Sequence, residues 1–103
     1  MNEVSADVAG IHAYSATAAT MAAELAAAGA TAAAGNPALL GPVFGLIGGD
    51  FLAAFTTAHA GHVASIEKLA GVVGSMSATA TSSAVGYEVT DAANAAGLGS
   101  IGV

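Results

Sequence analysis

The stretch Gly35-Asn36-Pro37-Ala38-Leu39-Leu40-Gly41-Pro42-Val43-Phe44-Gly45-Leu46-Ile47-Gly48-Gly49 decides the fold. It holds five glycines and two prolines among large apolar side chains. Gly permits a left-handed helix cap, and Pro cannot continue a helical hydrogen-bond ladder. The segment therefore reads as an apolar turn between two helices. Before it, Val4, Val8, Ile11, Tyr14, Ala18, Met21 and Leu25 recur at steps of three or four, which places them on one stripe of an amphipathic helix over residues 4–33, with Ser5 or Asn2 as its cap. After it, Phe55, His59, His62, Ile66, Leu69, Val73, Met76, Ala80, Ser83 and Tyr87 alternate steps of four and three, a heptad-like seam on a helix over residues 50–95. Two long helices around a short connection predict an all-α, antiparallel helical hairpin. The hairpin is expected to form a single domain over residues 1–96, with its turn at 35–49. Residues 97–103 alternate Gly with apolar residues and are expected to fray.

Composition supports helix and limits the core. Of the 103 residues, 55% are hydrophobic, but the share is dominated by alanine, as in Ala26-Ala27-Ala28 and Ala32-Ala33-Ala34. Alanine favours helix because it loses no side-chain entropy on folding. It also buries little surface, so a chain of this length builds a thin core and depends on close packing or a partner. Gly71, Gly74 and the Ser/Thr-rich run from Ser75 to Ser83 lower helix propensity in the later part of the second helix.

Charge narrows the partners. Seven acidic residues face one Lys or Arg, a formal net charge of −6, so nothing is present to neutralise phosphates and nucleic acid is a poor partner. Cysteine is absent, which removes disulfides, thiol nucleophiles and thiolate metal sites. The start Met1-Asn2-Glu3 is acidic where a secretory signal peptide needs a basic region, so the general secretory route is not expected. Residues 25–49 carry no charge and are long enough to span a bilayer, but Asn36, Pro37, Pro42 and repeated glycines interrupt them, and no membrane span is expected.

Signals for chemistry are weak. His59 and His62 lie three apart, and Glu67 or Asp50 could be placed beside them as a metal or acid/base set, yet no His-Glu-x-x-His or comparable pattern supports it. A seam position or an interhelical hydrogen bond is the simpler reading. The carboxylates Glu3, Asp7, Glu24, Asp50, Glu67, Glu88 and Asp91 are scattered. No Gly-x-Ser-x-Gly elbow occurs, and the Gly-rich stretch 45–49 lacks the Lys-Ser/Thr of a phosphate loop. An enzyme is not expected, and no cofactor is implied. The candidate interface runs through Leu39, Leu40, Phe44, Ile47, Phe51, Phe55, His59, His62, Ile66, Leu69, Val73 and Met76, where self-association or a helical partner protein would complete the core.

Near the end of the second helix, Tyr87 is followed four residues later by Asp91. In a helix that spacing puts phenol and carboxylate on one face, one turn apart, where a receptor reads both together. With the Ala/Gly-rich first helix, Gly41-Pro42-Val43-Phe44 at the turn, Asp50-Phe51 and Thr57-Ala58-His59, the chain resembles the EspC-like family of ESX, or type VII, secretion-associated proteins. The quoted motifs cover roughly half of the chain; the first helix matches in character alone. The resemblance implies a helical hairpin exported without a signal peptide, dealings with the type VII secretion ATPase or a chaperone, and a role for Tyr87 and Asp91 in a C-terminal export signal. The wider superfamily often has Trp-x-Gly at the turn, and this chain has no Trp. The Ala-rich PE proteins, which pair with a PPE partner, are the nearest sibling reading. The competing function is a cytosolic structural or adaptor bundle in which Tyr87 and Asp91 are ordinary helix residues.

Overall fold

The computed structural model describes residues 3–102. It is an all-α helical hairpin: α1 (Val8–Ala34), a 3-10 turn (Pro37–Leu40), a single-turn helix α2 (Gly41–Phe44) and α3 (Gly49–Ser100). By contacts the chain divides into two compact units, Thr20–Val73 and Met1–Ala19 with Gly74–Val103, so each helix contributes to both.

Helix α1 begins later than its sequence pattern suggests. Asp7 is the cap: its Oδ1 accepts the Gly10 N–H at 3.1 Å, and its carbonyl accepts the Ile11 N–H at 3.0 Å. A carboxylate at this position satisfies an amide that has no intrahelical partner and sits at the positive end of the helix. Ser5 and Val4 precede the helix, and Asn2 lies outside the described residues. At the other end Asn36 Oδ1 accepts the Ala38 N–H at 2.9 Å and Pro37 opens the 3-10 turn. Gly45 closes α2 at φ 59°, a conformation that penalises any side chain. A β-carbon on Gly48 would lie 2.6 Å from Phe44 Cβ, so the turn folds back on its own phenylalanine.

In the unit Thr20–Val73 the helices run antiparallel around the turn. His59 Nε2 donates to the Ala32 carbonyl at 2.7 Å, and farther from the turn Gly29 faces Ile66. A β-carbon on Gly29 would stand 3.2 Å from Ile66 Cγ2, so this glycine marks a close approach of the two helices. In the other unit, α1 and α3 meet through hydroxyls. Ser15 Oγ donates to the Ser77 carbonyl at 2.9 Å, Ser77 Oγ donates to the Ser15 carbonyl at 2.8 Å, and Thr81 Oγ1 hydrogen-bonds Ser15 Oγ. Ser15, Ala18 and Ala84 are buried there, and Ala84 is fully enclosed.

These contacts correct the phase of both seams. On α3 the covered positions are His59, Val63, Ile66, Ala70, Val73, Ser77, Ala80 and Ala84, whereas His62, Leu69, Met76, Ser83 and Tyr87 are exposed on the flank. On α1 they are Ile11, Ser15, Ala18, Ala22, Leu25, Gly29 and Ala32, with Tyr14 and Met21 exposed. The three-four spacing is as the sequence predicts, but alternate places are taken by the neighbouring small residue. Backbones this close admit Ala, Ser and Gly and push Leu and Met to the rim. A second correction falls at the C-terminus, where α3 continues through Gly97 and Gly99 to Ser100 instead of stopping at 95. The Ala-rich run 92–96 immediately before supplies the propensity, since each further residue adds a bond to a helix already nucleated.

Candidate functional site

Tyr87 and Asp91 lie on successive turns of α3, both exposed, which is the presentation that their spacing predicts. Tyr87 borders a shallow surface groove with Ser83, Gly86 and Thr90. All described residues from 85 to 102 are exposed. The Tyr87–Asp91 turn therefore stands at the edge of the covered part of the hairpin, just beyond the enclosed Ala84. Between Tyr87 and Asp91 in sequence, Glu88 faces another way: its Oε1 accepts from His12 Nε2 on α1 at 2.9 Å. A carboxylate only accepts, so Nε2 is the protonated nitrogen of that ring. His12 was not marked by any sequence motif; its signal is its place next to Ile11 on the α1 stripe.

A second surface surrounds the turn. Leu39, Leu40, Val43, Phe44, Leu46, Ile47, Phe51 and Phe55 are all exposed, and Leu46 and Ile47 project at 101% and 102% relative exposure. Phe44, Phe51, Phe55 and His59 form a ladder of rings with successive centroids 5.5, 6.0 and 6.3 Å apart. Steps of four along α3 keep Phe51, Phe55 and His59 on one face, so they stack. The candidate interface residues thus fall into two groups. Leu39, Leu40, Phe44, Ile47, Phe51, Phe55, His62, Leu69 and Met76 are exposed; His59, Ile66 and Val73 are half-covered. Met21, Leu25, Ala28, Leu69 and Val73 line a further apolar groove with Glu24.

His59 and His62 do not combine. His59 is taken up by the Ala32 carbonyl, and His62 is exposed. Among the described residues no group of three or more His, Cys, Asp or Glu is placed to hold a metal ion. Among the described residues no helix is long and apolar enough to cross a membrane.

The described residues thus form an all-α hairpin with an exposed Tyr-x-x-x-acid turn and an apolar connection. The chain matches the family described as the excreted virulence factor EspC of the type VII ESX system over residues 1–100, and it belongs to that family. The match includes α1, for which the sequence offered similarity of character alone. The description is of an excreted factor and names no enzymatic activity. Neither the curated proteins nor the solved structures give a match.

Proposed function

We propose that this chain is an exported substrate or helper of a type VII secretion system, recognised through Tyr87 and Asp91 and assembling through the apolar surface around its turn. The family match carries the export half. The exposed Tyr87 and Asp91 on one face of α3 support the choice of signal residues. They are read by the secretion ATPase or by a chaperone that delivers the chain to it.

The assembly half is supported by Leu46 and Ile47, whose side chains are fully exposed. Contiguous apolar surface of this kind marks an interaction site. With the Phe44–Phe51–Phe55 ladder it offers aromatic anchors of the sort that dominate binding energy at interfaces. A second copy of the chain or a helical partner would cover it.

Export of Tyr87→Ala, Asp91→Ala and the control Val89→Ala into culture medium tests the signal. Val89 lies on the opposite side of the helix from Tyr87 and is exposed. Loss for the first two with Val89→Ala unaffected is expected. Asp91→Ala exported like the parent would overturn the reading. Sedimentation of the purified chain tests assembly, where a stable monomer at micromolar concentration would contradict it.

A further inference from the structure

We propose that His12 and Glu88 form a positioning clip that sets which way the Tyr87–Asp91 face points; this rests on the reading of Tyr87 and Asp91 as the export signal. The clip lies at the boundary already described. On its inner side Ala84 is fully enclosed and Ser15 is bonded to Ser77 and Thr81. On its outer side every described residue of α3 is exposed. The 2.9 Å bond from His12 Nε2 to Glu88 Oε1 therefore joins α1 to α3 in the turn that carries the signal.

Helical geometry fixes the consequence. At about 100° per residue, Tyr87 lies about 100° round the helix from Glu88, and Asp91 about 60° round in the same sense. Holding Glu88 against α1 thus sets the flank, open to solvent, on which the face shared by Tyr87 and Asp91 lies. Without the bond, the helix beyond Ala84 keeps its backbone ladder but loses the side-chain contact that orients this turn. Exposed pairs of this kind contribute little to stability, because solvent screens them and two long side chains must be ordered. A clip of that strength orients a turn without being needed for folding. Glu88 acts through the signal residues as a positioning residue, and it is not itself read.

The test uses the full-length chain with Tyr14→Phe as background, which leaves Tyr87 as the sole fluorophore because the sequence has two Tyr and no Trp. Acrylamide quenching of Tyr87 and export into the medium are measured for His12→Ala, Glu88→Ala, His12→Gln and Glu88→Gln, with helicity followed by circular dichroism. The Ala variants are expected to keep their helicity, change Tyr87 quenching, and lower export about two- to fivefold, the range open to an exposed pair. The Gln variants preserve a donor at 12 or an acceptor at 88 and are expected to stay near the parent in both readouts. His12→Ala with unchanged quenching and full export would overturn the clip. Glu88→Gln failing while His12→Ala is exported would also overturn it, since the reader would then be sensing the Glu88 charge directly. The signal reading fails separately, when Asp91→Ala is exported normally; the quenching result still decides the clip in that case.

Discussion

Ser15→Ala is the sharpest probe of how α1 and α3 hold each other. Ser15 is 7% exposed, and its hydroxyl gives one hydrogen bond to the Ser77 carbonyl and shares another with Thr81 Oγ1. Each net bond of this kind is worth about 1 kcal/mol. Alanine recovers about 0.5 kcal/mol through helix propensity, so the net loss should be roughly 1.5 kcal/mol. The reciprocal bond from Ser77 Oγ to the Ser15 carbonyl survives, and Thr81 is exposed enough to find water, so no buried group is stranded. For a domain of this size the loss lowers the melting temperature by roughly 5–10 °C. Thermal unfolding followed at 222 nm, with Ser83→Ala on the exposed side of α3 as the control, measures it. The control should stay within about 0.5 kcal/mol of the parent. Equal melting temperatures for Ser15→Ala and Ser83→Ala would refute the hydroxyl contact as a source of stability.

Other substitutions separate the observed seam from the flank. Ala84→Leu adds three carbons at a fully enclosed position and should destabilise by about 1–3 kcal/mol, whereas Leu69→Gln on the exposed flank should stay within about 0.5 kcal/mol, both by chemical denaturation. Asp7→Ala removes the α1 cap and should cost about 1 kcal/mol, with faster amide exchange at Gly10 as its local sign. Leu46→Ser combined with Ile47→Ser should leave helicity unchanged and reduce association in sedimentation; unchanged association would place the assembly surface elsewhere.

Much of the fold was legible because helix, turn and helix each carry their own local chemistry. Pro37 and Gly45 stop helices for reasons that act within a few residues, and the alanine runs favour helix without packing. The phase of the seam was harder to read. Hydrophobic periodicity selects the largest apolar residue in each turn, so it favoured Leu69 and Met76, while the approach of two backbones selects Ala70 and Ser77 beside them. Ser15 illustrates the same effect, since a serine between Ile11 and Ala18 looks like a gap in an apolar stripe and is in fact buried and bonded. The start of α1 was missed because Val4 fits the stripe by spacing, although Asp7 is the residue able to cap. Of the candidate site, the shared face of Tyr87 and Asp91 follows from spacing alone. The contact between His12 and Glu88 joins residues 76 positions apart, and no local pattern encodes it.

The central claim is export by the type VII route. It is tested most directly by the amount of the chain recovered from culture medium, in cells with an active type VII secretion ATPase and in cells whose ATPase is disabled. The chain is expected in the medium of the first cells and is expected to be retained inside the second. Equal amounts in both media would contradict it.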